Sequence, residues 1–226
     1  TGGVATDNCA GVVVTQVPAA ATVISGHGTI QTVKLVATDA SGNADSCTFT
    51  VTLNDVTAPT AISQDTTVYL GAGGTVTIDS SFVNDGSTDN CGIATIGISQ
   101  SVFDCSETGA NVITMTVTDV AGLSDNTTAT VTVLDTISPV ITCPADAIEN
   151  VDGSCEFALP DYTGGVATDN CAGVVVTQSP VAATVISGHG TIQTVKLVAT
   201  DASGNADSCT FTVTLNDNTA PTAISQ

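Results

Sequence analysis

Apolar residues alternate with threonine along much of the chain. Residues 48–53, 112–118 and 128–133 each show this alternation, and a period of two gives a β-strand one buried face and one solvated face. Turn residues separate such segments at short intervals, for example at 71–74 and 203–205. The pattern therefore predicts an all-β protein built from short-stranded, two-sheet antiparallel β-sandwiches.

The chain repeats itself over a long period. Residues 1–64 recur at 163–226, and a linker with an Asp before a Pro recurs at 55–59, 135–139 and 217–221. Such repetition indicates a linear array in which each module contacts mainly its neighbours. The two copies differ only at Val17/Ser179, Ala19/Val181 and Val56/Asn218.

The three linkers divide the chain into two alternating kinds of module. We call the module that follows Asp55 first-type and the module that follows Asp135 second-type. The N-terminal copy lacks counterparts of residues 138–162, which would be its first strands. We predict a second-type module without its first strands at 1–56, a first-type module at 57–136, a second-type module at 137–217, and the start of a further first-type module at 218–226.

Charge excludes some partners. The chain has two Lys+Arg and 22 Asp+Glu, a net charge of −20, so nucleic acid and anionic lipid surfaces would repel it. No apolar run approaches the roughly 18 residues of a membrane-spanning helix, so we expect no membrane insertion. Two near-identical copies argue against a unique active site, and we predict that the chain is not an enzyme.

Eight cysteines in short-stranded modules favour disulfides and an extracellular location. Aligned on the linkers, the first-type module has Ser63 and Thr75 where the second-type module has Cys143 and Cys155. Partners tend to be lost together, which favours pairing those two cysteines, although other connectivities stay open. Zinc is the alternative, but the chain has no Cys-x-x-Cys pair, which a zinc site would favour. The predicted disulfides are Cys9–Cys47, Cys91–Cys105, Cys143–Cys155 and Cys171–Cys209.

Acidic residues cluster in the segments that meet at one end of an immunoglobulin-like sandwich: the entering linker and two loops. Converging carboxylates predict a calcium site, although Asp and Asn also cap turns. The first-type module has Leu123 where the second-type module has Asn205, so we expect its site to be weaker or different in geometry. The candidate ligands are Asp135, Asp169, Asp201, Asn205 and Asp207; Asp55, Asp85, Asp89, Asp119 and Asp125; Asp7, Asp39, Asn43 and Asp45; and Asp217.

Three motifs of the second-type module resemble the hyalin repeat (HYR), an immunoglobulin-like extracellular module. They are the Asp-Thr-Ile-Ser-Pro-Val-Ile-Thr-Cys-Pro run from 135, Thr-Asp-Asn-Cys at 168–171, and Asp-Ala-Ser-Gly-Asn at 201–205. The first-type module keeps Thr-Asp-Asn-Cys at 88–91 but lacks the Cys-Pro pair. Its Val-Phe-Asp-Cys at 102–105 resembles modules of large Bacteroidota surface proteins of the gliding-adhesin kind. The resemblance implies adhesion at the cell surface.

We therefore expect the stalk of an extracellular adhesin or surface filament, stiffened by calcium and disulfides, that projects a binding tip. Its expected partners are neighbouring modules of the same chain, other copies in a filament, or a surface export and anchoring machinery. Two alternatives stay open: a glycan- or protein-binding module, and a subunit of a homopolymeric filament. His27 and His189 lie in identical Ser-Gly-His-Gly turns, where we expect them to face solvent.

Overall fold

Strands dominate the computed structural model, which describes residues 3–224. The outermost residues of the first and last predicted segments, 1–2 and 225–226, lie outside the described residues. Two short 3₁₀ helices, Ser80–Phe82 and Cys105–Glu107, interrupt the strands. In chain order the strands are β1 (Val13–Val17), β2 (Ile30–Thr38), β3 (Ala44–Thr52), β4 (Thr66–Tyr69), β5 (Thr75–Thr77), β6 (Ile93–Ile98), β7 (Val102–Asp104), β8 (Gly109–Asp119), β9 (Ser124–Leu134), β10 (Val140–Ile141), β11 (Ala147–Asn150), β12 (Glu156–Ala158), β13 (Ala167–Thr168), β14 (Val175–Ser179), β15 (Val185–Ser187), β16 (Ile192–Thr200) and β17 (Ala206–Asn216).

The chain divides into two compact units, which we call unit N and unit C. Strands β8 and β9 run through both units, so the residues predicted to form the first-type module are divided between them. Unit N comprises Thr1–Gln64, Asp79–Ser99 and Ile113–Ala129, and unit C comprises Asp65–Ile78, Gln100–Val112 and Thr130–Gln226.

The second-type module of unit C is a sandwich around one apolar core. One sheet has the order β11-β17-β16-β14, and two-stranded ladders pair β12 with β15 and β10 with β13. On β16, Val195 and Leu197 are fully buried whereas Lys196 between them is exposed, as the alternation predicts. The ring of Phe211 meets that of Tyr162 edge-on, with the centroids 4.9 Å apart. Burial of one strand face thus holds this module together.

The first-type residues repeat this topology. Their strands form a sheet with the order β4-β9-β8-β6 and a ladder of β5 with β7. Met115 and Val117 on β8 and Val131 and Val133 on β9 are fully buried. Each complete module also contains one parallel pair, β4 with β9 and β11 with β17, although the other strand pairs are antiparallel. A strand near the start of each complete module therefore lies along the last strand of that module.

The N-terminal copy has counterparts of β14, β16 and most of β17, but an open face. Its sheet has the order β1-β2-β3, and Lys34 pairs with Thr48 as its counterpart Lys196 pairs with Thr210. Phe49, however, is 48% exposed, whereas its counterpart Phe211 is 4% exposed. The residues that cover Phe211, such as Ile141, Val151 and Leu159, belong to the segment that has no counterpart in residues 1–64.

The disulfides differ from the predicted ones. Cys143 bonds to Cys209, and Cys105 bonds to Cys171. The predicted pairs Cys143–Cys155, Cys171–Cys209 and Cys91–Cys105 are therefore wrong. The predicted pair Cys9–Cys47 does not form either, because both cysteines are free and exposed.

A hydrogen bond in the first-type module explains the error. Ser63 Oγ lies 3.0 Å from Thr127 Oγ1, and these residues occupy the positions of Cys143 and Cys209. The two cysteines that the first-type module lacks together are therefore Cys143 and Cys209. Cys155 corresponds to Gly74 rather than to Thr75, because Cys155 directly precedes β12 as Gly74 directly precedes β5.

Replacing Cys143→Ser and Cys209→Thr together copies the first-type pair into the second-type module. We expect the free energy of unfolding to fall by about 2–4 kcal/mol, because the crosslink no longer restricts the unfolded chain. Urea unfolding followed by circular dichroism would measure the change. The double variant Ser63→Ala and Thr127→Ala is the matched control and should cost less. An unchanged unfolding midpoint in the cysteine variant would contradict this expectation.

Candidate cation sites

Two groups of three aspartates converge in the structure. Asp55, Asp89 and Asp119 in unit N each place a carboxylate oxygen within 4.8 Å of the others, and we call them the first cluster. Asp135, Asp169 and Asp201 in unit C form the corresponding second cluster. Each cluster combines the linker Asp with one Asp from each of two loops, which are the segments that the sequence predicted to meet.

Local turns fix one oxygen of each loop aspartate. Asp119 Oδ1 accepts hydrogen bonds from the N–H groups of Ala121 and Leu123, both at 2.8 Å. Asp89 Oδ2 accepts from the N–H groups of Cys91 and Gly92 at 2.7 and 2.8 Å. Turn capping and cation binding are therefore compatible at these residues, because the turn uses only one of the two oxygens.

The other oxygen of each first-cluster aspartate lacks any partner. Asp55 Oδ2, Asp89 Oδ1 and Asp119 Oδ2 are all buried and accept no hydrogen bond. The second cluster leaves Asp135 Oδ2 and Asp169 Oδ1 in the same condition. A buried carboxylate oxygen without a partner is costly, and a hard cation that takes six to eight oxygen ligands would satisfy three at once.

Asn205 makes the second cluster different from the first. Its Nδ2 donates to Asp201 Oδ2 at 2.8 Å and to the backbone oxygen of Asp135 at 3.1 Å. Both partners are acceptors, so the amide nitrogen must face them. Asn205 therefore positions Asp201 through its amide nitrogen, and its role as a ligand stays a prediction. Leu123 occupies this position in the first-type module, and its side chain cannot donate a hydrogen bond, so Asp119 Oδ2 has no partner.

Several other predicted ligands lie outside both clusters. Asp85 is exposed, Asp125 Oδ2 accepts from the N–H group of Ala61 at 3.0 Å, and Asp207 caps the next residue. These three aspartates therefore lie apart from the clusters, and their role as ligands stays a prediction. In the part of the chain that the structure describes, the remaining candidates belong to neither three-aspartate cluster: Asp7, Asp39, Asn43, Asp45 and Asp217.

Hydrogen bonds keep two of the cluster aspartates charged. The N–H group of Thr57 and the side chain of Asn90 lower the pKa of Asp55 despite some desolvation. Desolvation is the largest single influence on Asp201 and would raise its pKa, but hydrogen bonds from Asn205, Ser203 and Gly204 together outweigh it. The opposite holds for Cys91, whose pKa is raised by desolvation and by the nearby Asp55 and Asp89.

Each of the two histidine side chains accepts a hydrogen bond from a linker. His27 Nδ1 accepts a hydrogen bond from the N–H group of Asp55 at 3.1 Å, and His189 Nδ1 accepts from that of Asp217 at 3.0 Å. Both side chains are exposed, as expected, but the contact to the linker was missed. The only signal in the sequence is that both copies keep Ser-Gly-His-Gly at a constant distance of 28 residues before the linker Asp.

Comparison with known proteins establishes the family. The HYR domain model matches residues 4–53 and 134–215, and the chain therefore belongs to the HYR domain family. Hyalin of Strongylocentrotus purpuratus is 32% identical over 157 residues, which cover 66% of this chain and 13% of that protein. Hyalin of Lytechinus variegatus is 30% identical over 203 residues, which cover 81% of this chain and 36% of that protein.

Two solved structures match the chain at low sequence identity. Drosophila N-cadherin EC1-4 is 12% identical with a TM-score of 0.40, covering 85% of this chain and 58% of that chain. Sidekick-1 immunoglobulin domains 1-4 are 10% identical with a TM-score of 0.37, covering 92% and 68%. None of the helices in the described residues is long and apolar enough to span a membrane.

Replacing Asp119→Asn should stabilise the protein when chelator is present. The amide oxygen can still cap the turn, while its NH₂ group replaces a bare oxygen and removes one of three converging negative charges. We expect the melting temperature in chelator to rise by about 2–4 °C, measured by differential scanning calorimetry. Asp85→Asn removes the same charge from an exposed site and should leave the melting temperature unchanged. A lower melting temperature for Asp119→Asn would show that the three charges do not repel one another.

Proposed function

We propose that this chain is part of the repetitive stalk of an extracellular adhesin or surface filament, in which cations stiffen the junctions between modules. The observation that carries the proposal is the pair of aspartate clusters, each of which joins a linker to the loops of the module that follows it. The stalk keeps a binding tip away from the surface that anchors it. Its activity is mechanical, and it needs no catalytic residue.

The family and the covalent structure support the extracellular part of this proposal. The chain is an HYR protein whose relatives include hyalins of two sea urchins. Its two disulfides fit an oxidising location outside the cell. These relatives do not support the bacterial origin that one sequence motif suggested, so we extend the proposal to adhesion in general.

Calcium is the cation that these clusters would suit best. They offer carboxylate oxygens, and the second cluster adds the buried, unpartnered Oδ1 of Asn170. Oxygen ligands of this kind favour calcium outside cells, where its concentration is high and such sites bind with Kd values of about 0.1–1 mM. Neither sulfur nor imidazole belongs to either cluster, and those ligands would favour a transition metal.

The stiffening would come from the linker aspartates. Asp55 and Asp135 begin the linkers that enter the following modules, whereas the other two aspartates of each cluster belong to the loops of those modules. An ion held by all three would fix the linker to the module and remove torsional freedom from the junction. Without an ion, the charges would repel one another and the linker would be free to move away from the loops.

Calcium should raise thermal stability. At a free calcium concentration of a hundred times the Kd, each occupied site would add about 2.7 kcal/mol. Calorimetry over a calcium titration would measure the rise in melting temperature, and excess chelator should reverse it. Asp119→Asn combined with Asp201→Asn should greatly reduce the rise, whereas Asp85→Asn combined with Asp207→Asn is the matched control and should retain it. A melting temperature independent of calcium would remove the cation from the proposal.

Calcium should also restrict bending between modules. Small-angle X-ray scattering would report the maximum dimension and the flexibility of the particle with calcium and with chelator. We expect a longer and more uniform particle with calcium, and a shorter average dimension with chelator or with Asp55→Asn combined with Asp135→Asn. Identical scattering curves under both conditions, in a chain that calorimetry shows to bind calcium, would contradict stiffening but not binding.

A further inference from the structure

The Cys105–Cys171 disulfide defines a place where two turns meet a Thr-Asp-Asn-Cys loop. Cys105 Sγ lies 3.5 Å from the backbone oxygen of Gly74. A Cβ atom on Gly74 would lie 2.9 Å from that sulfur and 2.6 Å from the backbone oxygen of Asn170. Residues 74 and 105 therefore occupy neighbouring turns, and both lie directly against the loop that carries Cys171.

The second-type module has the same two turns with the residues exchanged. Cys155 precedes β12 as Gly74 precedes β5, and both residues have left-handed backbones, with φ of 62° and 70°. Gly188 follows β15 as Cys105 follows β7. Its N–H group donates to the backbone oxygen of Cys155 at 3.1 Å. Each kind of module thus places one cysteine and one glycine in these turns, in opposite positions.

The first-type module contains the matching acceptor. Cys91 ends its Thr-Asp-Asn-Cys loop, as Cys171 ends the loop of the second-type module. Asn90 Nδ2 contacts Asp55 Oδ1 at 3.3 Å, as Asn170 Nδ2 contacts Asp135 Oδ1 at 3.2 Å. The two loops are therefore held to their linkers in the same way. Cys91 is free, and residues 1–64 contain no counterpart of Cys155.

We propose that Cys155 forms a disulfide with the Thr-Asp-Asn-Cys cysteine of a first-type module that follows it, the position that Cys91 occupies in this chain. The two thiols lose two protons and two electrons, and an oxidant of the disulfide class, such as oxidised glutathione, takes up the electrons and becomes two thiols. Every junction of the array would then carry one crosslink, alternately through Cys105 and through Cys155.

The inference rests on the alternating array of the proposed function, but it is independent of calcium. Its chemistry also explains the other free cysteines. The counterpart of Cys9 is Cys171, which bonds to the module before it, and the counterpart of Cys47 is Cys209, which bonds to the first strands of its own module. The partners of both counterparts lie before residue 163, in segments that residues 1–64 do not repeat.

An extended chain tests the disulfide directly. A second copy of residues 65–136 is added after Gln226, which completes a first-type module after the second-type module. Cys9, Cys47 and Cys91 are replaced by Ser so that only one Thr-Asp-Asn-Cys cysteine of a first-type module remains. After oxidation with glutathione disulfide, digestion and mass spectrometry without reduction should find Cys155 bonded to the cysteine of the added loop, with loss of Cys155 alkylation.

The matched control is the same extended chain with Cys155→Gly, which copies Gly74. There the cysteine of the added loop should stay alkylatable. A free Cys155, or a bond between the two added cysteines, would overturn the inference, whereas calcium-dependent melting and scattering would be unaffected and would still test the proposed function.

If the added module does not fold, an exchange within the existing chain decides the question. Gly74→Cys combined with Cys105→Gly gives the first-type module the arrangement of the second-type module. The new thiol at position 74 should then bond to Cys171, and Cys105→Gly alone should leave Cys171 free. A free Cys171 in the exchanged chain would overturn the inference.

Discussion

Three aspartate carboxylates converge where the linker enters a module, and this convergence is the constraint on which the structure of the junction depends. The linker aspartate comes from one side, and the two loop aspartates come from turns that fix one oxygen of each. In the first cluster the other oxygen of both is buried and unpaired, whereas in the second cluster Asn205 donates to that of Asp201. The chain has only two basic residues, Lys34 and Lys196, and both are exposed on strands. Neither lysine therefore neutralises the clusters, and the cation proposed above would do so from outside the chain.

The repeated sequence separates what a strand encodes from what its neighbours supply. Residues 30–38 and 192–200 are identical and pair in the same register with the strand that follows. Only the copy in unit C buries its apolar face fully, because Ile141, Val151 and Leu159 cover it, whereas Val33 is the one residue of 30–38 that is buried. Local alternation thus specifies strand, register and face, whereas burial requires the first strands of the module. The same division applies to the cysteines. Cys209 has a bonding partner because the first strands of its module are present, and its counterpart Cys47 is free.

Alternation of apolar residues and threonine was sufficient to predict the strands and the buried face of β16, and the recurring linkers located the aspartates that meet. The parallel pairs and the disulfides were not predictable in the same way. Matching on the linker placed Cys155 opposite Thr75, but one extra residue before β11 shifts the true counterpart to Gly74. The joint loss of Cys143 and Cys209, replaced by Ser63 and Thr127, was visible in the sequence, but choosing that pair over Cys143 with Cys155 required knowing that the first and last strands are adjacent. The contact between the amide nitrogen of Asn205 and Asp201 was not predicted, because a sequence does not reveal which amide atom faces a carboxylate.

Cysteine and glycine take opposite positions in the two kinds of module because the turn after β15 also contacts the next linker. In the second-type module, the turn after β15 carries His189, whose Nδ1 holds the N–H group of Asp217 at the start of the next linker. Gly188 there has a φ of 95°, beyond the 62° of Cys155 and outside the left-handed region of about 50–70° that a cysteine can adopt, so a cysteine would be strained at 188. In the first-type module this turn is a 3₁₀ helix that begins at Cys105 and is capped by Asp104, so a cysteine fits without strain. This turn thus contacts the next linker through a histidine in the second-type module, whereas in the first-type module it bonds to the loop of the next module through a cysteine. Where the histidine occupies it, the adjacent turn of Cys155 is the remaining position from which a thiol could reach the next module.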